Sequence, residues 1–389
     1  MPRERPLNLA FLGAVLVLVC IGIVMVYSAS YAKASVYETQ TGGDSAYYLK
    51  RQLLWAAVGF LVLFLVQALP YRWLRHAAYP LAVMTMFALV LVLFVGKEAQ
   101  GARRAFDLGS FCFQPSELAK VAVVLAGGAF LSRNRPYLRT SAGFVVCCVV
   151  LSITALLIAV EDLGTATALV AGGLGLFFLA GARRKHILAY IGLCVLAAVI
   201  MVKAEPYRMV RITEWLHGGS YQLQHAKMAL GTGGPLGRGL CESREKYFYL
   251  PASSTDCIYA VIGEELGLAG TVGVLGLFLF LGWQGLAIAR AAPHDFASLL
   301  AGGATVMVVA QALLNMAVVT GLAPTTGVPL PFVSYGGSSL LFTMANAGLV
   351  LNASRGKPAR ARDARPRPQP AYERRGGGLH RRRPVVGAR

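Results

Sequence analysis

The chain has 389 residues, 56% of them hydrophobic and only 14% charged, and its mean hydropathy is +0.58. Soluble domains carry about 25% charged residues, so an ordinary water-soluble fold is excluded and an all-α polytopic membrane protein is expected. The formal net charge of +19 is explained by basic residues biased to one membrane face, with no nucleic-acid partner expected.

About ten transmembrane helices are predicted, at approximately 8–28, 52–69, 77–96, 114–132, 142–160, 166–181, 187–203, 256–289, 298–320 and 338–353. The first is not read as a cleaved signal, because many spans follow it. The sixth is short and carries Gly172, Gly173 and Gly175, which suits close helix packing. The eighth is long enough to hold a bend. Arg72 and Arg75, then Arg133, Arg135 and Arg139, then Arg183, Arg184 and Lys185, then Arg290 fall on alternate loops, on the side of Arg3 and Arg5. Both termini are therefore expected to be cytoplasmic. Residues 1–353 read as one transmembrane domain. Residues 354–389 read as a disordered basic cytoplasmic tail near anionic membrane lipid, since twelve Lys or Arg stand from Arg355 onward against Asp363 and Glu373.

The opposite face breaks the charge bias. It carries Lys97, Arg103 and Arg104 before span four. It also carries one large extracytoplasmic loop between spans seven and eight, with Arg208, Arg211, Lys227, Arg238, Arg244 and Lys246 among aromatic residues. Positive charge on that side suggests either an anionic ligand such as a phosphate or ordinary solvated loop charge. Seven cysteines form no framework. A Cys112–Cys241 disulfide is conceivable, although the spacing gives it no support. No CxxC or HExxH metal motif is present.

Four segments carry candidate chemistry. Gln114-Pro115-Ser116-Glu117 opens span four, and Glu117 and Lys120, three apart, share a helix face. Such a pair should point to a cavity or fix helix packing. Glu161-Asp162-Leu163-Gly164-Thr165 is either a tight outer turn or a cavity edge. Asp256 opens span eight after Ser253-Ser254-Thr255, and is either a helix N-cap or a base at the membrane boundary. Glu264 and Glu265 lie two turns deeper and off its face, so they should form no dyad with Asp256, and at least one should pair structurally with another span. Pro329 to Ser339, with Ser334 and Tyr335, is irregular backbone that must be buried or line a cavity.

Together these segments resemble the SEDS family (shape, elongation, division and sporulation) of peptidoglycan polymerases, over nearly the whole chain. FQPSELAK (Phe113–Lys120), DLGTA (Asp162–Ala166), YLPASSTDCIYAVIGEELG (Tyr249–Gly267) and PLPFVSYGGSS (Pro329–Ser339) carry the likeness. Tyr48–Trp55 and Ala323–Gly327 resemble the division branch more than the elongation branch, with the sporulation branch close. Two departures are Pro251-Ala-Ser-Ser254, where a Glu is usual, and Glu161, where a proline is usual.

The resemblance implies polymerisation of lipid II into β-1,4 glycan with release of undecaprenyl diphosphate, in a bacterial inner membrane. It implies Asp256 as general base. Glu117, Lys120, Gln114, Ser334 and Tyr335 would line the cavity, and Arg103, Arg104, Arg208, Arg211 and Lys246 would neutralise the diphosphate. A divalent cation (Mg or Mn) could share that task, with no ligand set assigned beyond Asp256. The expected partners are lipid II and the nascent glycan strand, a class B penicillin-binding transpeptidase and other divisome membrane proteins. A lipid II flippase and a non-catalytic scaffold are the competing readings; the first predicts internal repeats, and no convincing repeat is seen.

Overall fold

A computed structural model of the chain describes residues 7–36, 44–99, 102–107, 109, 112–247 and 249–355. The basic tail, apart from its first residues, lies outside the described residues.

Long apolar runs form helices because a helix satisfies its own backbone where no water is available. Each of the ten predicted spans coincides with one. They are α1 (Leu9–Val36), α2 (Tyr47–Ala68), α3 (Tyr71–Val95), α4 (Pro115–Arg133), α6 (Ser141–Ala159), α7 (Leu163–Leu179), α8 (Arg184–Ala204), α11 (Ile258–Ala291), α12 (Asp295–Thr320) and α13 (Gly337–Arg355). The short α5 (Arg135–Leu138) links α4 to α6. Eight of the ten are long and apolar enough to cross a membrane; α7 is shorter, and α13 is more polar. The protein is thus a multi-pass helical membrane protein.

α12 sits centrally, packed on α4, α7, α11 and α13, whereas α8 is peripheral and buries only Tyr190. The glycines of α7 let this packing close up, as the sequence suggests. A Cβ on Gly172 would collide with Met307 Sδ, and one on Gly175 with Val306 Cγ1, both on α12.

Two features depart from a plain helix bundle. Between α3 and α4 the chain forms an antiparallel sheet of three short strands, β1 (Lys97–Ala99), β2 (Ala102–Asp107) and β3 (Cys112–Phe113). The all-helical expectation therefore misses this hairpin. The large segment between α8 and α11 contains α9 (Pro206–Leu216) and α10 (Tyr221–Gly233), with α10 packed on α11.

α11 is broken at Gly267, whose φ of 67° is open to glycine. The break frees backbone groups, and the turn after α10 satisfies them. Arg238 and Gly239 donate their N–H groups to the carbonyls of Glu264 and Glu265 at 3.0 Å each. In return, Leu268 and Ala269 donate to the carbonyls of Gly234 and Pro235 at 2.9 and 3.1 Å. The carboxylates next to the break hold the same loop. Glu264 accepts from the Ser243 hydroxyl (2.5 Å) and the Arg244 N–H (2.9 Å). Glu265 accepts from Ser28 of α1 (2.6 Å) and from Lys246 Nζ (2.8 Å). Glu265 thus pairs with another span, α1, as expected for at least one of the two, and Glu264 is held by the loop. No disulfide joins Cys112 to Cys241.

Candidate active site

Asp256 ends the turn that leads into α11. The helix N-cap is Cys257, without a side-chain capping bond, so the Asp256 carboxylate is not spent as a cap. Its backbone is fixed instead. Asn315 Nδ2 of α12 donates to the Asp256 carbonyl and to the Val328 carbonyl, both at 2.8 Å. One turn away, Gln311 Nε2 donates to the Pro329 carbonyl at 2.9 Å. Ser334 donates to the Thr255 carbonyl (2.6 Å) and accepts from the Leu330 N–H (2.8 Å), while the Tyr335 N–H donates to the Ser254 carbonyl (2.9 Å). The irregular segment from Val328 to Tyr335 therefore clamps the acid-bearing turn. Two prolines prevent it from becoming helix, and its polar groups are satisfied internally.

The carboxylate faces a small gap over Gly327. A Cβ there would lie 3.4 Å from Asp256 Oδ2 and 3.5 Å from Arg104 Nη1, so the acid and the guanidinium border the same space. Arg104 comes from β2, and its Nη1 is also 3.9 Å from Asp162 Oδ2. Asp162 caps α7, accepting from the Thr165 N–H at 3.0 Å and from the Thr165 hydroxyl at 2.8 Å. Arg211 of α9 donates to the Thr325 carbonyl at 3.3 Å, and its guanidinium lies 4.6 Å from the centre of the Tyr207 ring. Burial pushes the Asp256 carboxyl up to about 6; the Asp162 charge adds to this, and Arg104 and Arg211 oppose it. A carboxylate with that affinity for protons, next to two arginines, can accept a proton near neutral pH.

Asp256 also lines a cavity with Gln222, Cys257, Thr325 and Thr326. Arg104 lines a second with Gln114, Ser116 and Asp162. Arg104 Nε and Thr326 Oγ1 are buried without a hydrogen-bond partner. An unmet buried polar group costs about 1–3 kcal/mol, and such atoms mark a place where a ligand's oxygens would be accepted.

Glu117 and Lys120 form a buried pair in α4, with Lys120 Nζ 2.7 Å from Glu117 Oε1 and 2.5 Å from Gln311 Oε1. Glu117 Oε2 has no partner. Through Gln311 the pair reaches the Pro329 carbonyl, and so the segment that clamps Asp256.

The structure brings together Asp256, Arg104 and Arg211, with Gln114 nearby, and it separates two predicted diphosphate ligands from them. Lys246 is fully buried against Glu265 and Ser28, where a buried charge needs its partner. Arg208 donates to the Ala159 and Val160 carbonyls (2.9 and 2.7 Å), which closes the end of α6. The Arg103 side chain lies outside the described residues. Ser334 and Tyr335 act as clips on the acid's turn. Asn315, Gln311, Gly327 and the role of Asp162 escape the sequence reading. Gln311 and Asn315, four apart in an apolar span, carry a usable signal, since two amides on one face of a membrane helix must meet polar partners.

Fold and site together define a multi-pass membrane protein with an acid and two arginines converging at one end of the bundle. The family model that matches, over residues 8–358, is that of the FtsW/RodA/SpoVE cell cycle proteins, and the chain belongs to this family. Stage V sporulation protein E of Bacillus subtilis is 39% identical, covering 87% of this chain and 94% of its own. A probable peptidoglycan glycosyltransferase FtsW of Trichlorobacter lovleyi is 40% identical, covering 93% of this chain and 98% of its own. Among solved structures, a chain from work on the structural coordination of polymerization and crosslinking by a peptidoglycan synthase complex has a TM-score of 0.74 at 32% identity. It covers 90% of this chain and 98% of its own. The rod shape determining protein RodA of Thermus thermophilus has a TM-score of 0.67 at 30% identity, covering 90% and 97%.

Proposed function

We propose that this protein is a peptidoglycan glycosyltransferase that polymerises lipid II, of the kind that serves septal wall synthesis. The observation that carries the reading is the space over Gly327, which the Asp256 carboxylate and the Arg104 guanidinium both border. The names of the FtsW and SpoVE relatives support it. So does the basic character of the site, which suits a substrate whose leaving group is a diphosphate.

In this reading the 4-hydroxyl of one lipid-linked disaccharide attacks the anomeric carbon of another. Asp256 takes the hydroxyl proton as the new C–O bond forms. The bond from the anomeric carbon to the diphosphate oxygen breaks, and undecaprenyl diphosphate leaves with that electron pair. Attack from the far side inverts the carbon and makes a β-1,4 linkage. Arg104 and Arg211 neutralise the charge that develops on the leaving group. Asn315 and the segment from Val328 to Tyr335 keep Asp256 in place while this occurs.

A divalent cation, Mg or Mn, finds no cluster of protein ligands among the described residues. Among the described residues no three His, Cys, Asp or Glu side chains converge, and Asp162 already engages Thr165 and Arg104.

We further propose that both termini are cytoplasmic, so that the Asp256 end faces outward in a bacterial inner membrane at the division septum. A class B penicillin-binding transpeptidase would dock on the bundle through its own membrane helix, alongside other divisome membrane proteins. The test is reconstitution on labelled lipid II, with and without that transpeptidase. Wild type should make glycan, and Asp256→Asn should make none. Polymerisation by Asp256→Asn at the wild-type rate would overturn the assignment.

A further inference from the structure

Asp162 stands at the corner between α6 and α7 and is almost entirely buried. Its capping bonds to Thr165 need an acceptor atom but not a charge; Asn and Ser cap helices as well as Asp does. The negative charge gains only about 0.3–1 kcal/mol from the helix dipole. It is directed at Arg104, whose Nη1 lies 3.9 Å from Asp162 Oδ2. The same Nη1 borders the space over Gly327 that Asp256 Oδ2 also borders. Arg104 thus stands between two carboxylates, one buried and structural, the other at the reacting position.

That arrangement has a chemical consequence. A guanidinium that closes onto a carboxylate holds it ionised, weakens it as a base and occupies the space in front of it. Arg104 has a second carboxylate that draws it away from Asp256. Its Nε remains buried and without a partner, so it retains a donor for an incoming anionic oxygen. The charged groups that act on Asp256 are Asp162, Arg104 and Arg211. Arg208 does not join them, because the end of α6 engages it. Glu161 lines the cavity of Arg104 and stays partly exposed.

We propose that Asp162 is a positioning residue for the transfer, anchoring Arg104 at the α6–α7 corner so that the guanidinium meets the lipid-linked diphosphate instead of closing onto Asp256. This inference rests on the glycosyltransferase reading of the site. Asp162 itself touches no reacting atom.

The test uses the full chain, reconstituted with its transpeptidase partner, and three variants. Asp162→Asn and Asp162→Ser keep a capping acceptor and remove the charge. Asp256→Asn runs in parallel. In both Asp162 variants the thermal midpoint should stay at the wild-type value while KM for lipid II rises roughly tenfold, the size expected for one misplaced charge-assisted bond to phosphate. The acid limb of the rate against pH should also move to lower pH, because Asp256 loses a like charge and gains Arg104. A purely structural Asp162 would move neither. Wild-type KM and pH profile in both variants, with Asp256→Asn inactive, would overturn the inference and leave the site reading intact. Loss of folded protein in both variants would make Asp162 a structural residue and would also overturn it. An active Asp256→Asn would remove the reading beneath the inference, and the inference with it.

Discussion

Lys246 and Glu265 form an ion pair inside the protein, 2.8 Å apart and essentially without solvent contact. Ser28 of α1 bonds to both, so the pair ties the segment before Asp256 to α11 and α1. Breaking a buried pair by removing one partner costs about 3–5 kcal/mol, because a charge is left stranded. Lys246→Met should therefore lower the thermal midpoint sharply. Whatever folded protein remains should use lipid II with unchanged KM. Lys246→Met with Glu265→Gln should recover most of the loss. A raised KM without loss of stability would return Lys246 to the diphosphate site.

Gly327 tests the gap itself. A Cβ at this position meets Asp256 Oδ2 and Arg104 Nη1 at 3.4 and 3.5 Å, close to ordinary contact distance. The fold should accept Gly327→Ala with little loss of stability. The methyl group would sit where the reacting oxygen must pass, so turnover should fall by at least roughly tenfold, about 1.4 kcal/mol of barrier. Equal stability with wild-type turnover would show that the reaction takes place elsewhere.

Glu117, Lys120 and Gln311 act as one polar cluster deep in the bundle. Glu117→Gln or Lys120→Met alone should destabilise by several kcal/mol, and the double change should recover part of that loss. Gln311→Leu should be harmful for a second reason, since it also releases the Pro329 carbonyl. Thermal unfolding of the four variants measures the coupling. Additive losses for Glu117 and Lys120 would mean that the pair does not interact.

The helices were legible because membrane burial leaves long apolar runs that no other structure produces. The bend in α11 was legible only as excess length; its position at Gly267 depends on the loop from Gly234 to Gly239, which supplies the missing partners. The hairpin bearing Arg104 was not legible, as two of its strands have only three and two residues and none shows a sustained apolar alternation. Composition also misled on Lys246, because a lysine in a polar loop looks the same whether it meets water or a buried glutamate. Asp162 and Asp256 belong to segments far apart in the chain, and only the packing of α7, α11 and α12 places them at the same end.

Arg104 carries the clearest prediction about substrate charge. It borders the gap, its Nε is buried without a partner, and a guanidinium grips phosphate in two places where an ammonium cannot. Arg104→Lys should raise KM for lipid II even though the charge is kept, and Arg104→Ala should raise it further. Arg290 is exposed near the C-terminal end of α11 and should tolerate Lys with no kinetic change. Initial rates at matched protein levels decide the matter. Wild-type kinetics for Arg104→Ala would remove it from the site.

Asp256 links activity and stability with opposite signs. Its carboxyl is raised from 3.8 to about 6, first by burial and then by Asp162. The base must be ionised to take a proton, so the rate should rise with pH through about 6 and fall roughly tenfold from pH 7.5 to 5. Folding runs the other way. Between 3.8 and 6 the native state holds a proton that the unfolded chain has released, so raising the pH through that window removes stability. At pH 7.5 the wild type therefore carries an ionised group that its surroundings disfavour. Asp256→Asn removes that charge, and should be inactive yet at least as thermally stable as wild type at pH 7.5. The stability difference should shrink below pH 4, where Asp256 is protonated in both states. Comparing melting curves at the two pH values with polymerisation assays separates the possibilities. A variant that loses stability along with activity would make Asp256 a structural residue of the turn. A rate independent of pH between 5 and 7.5 would assign the proton transfer to another group.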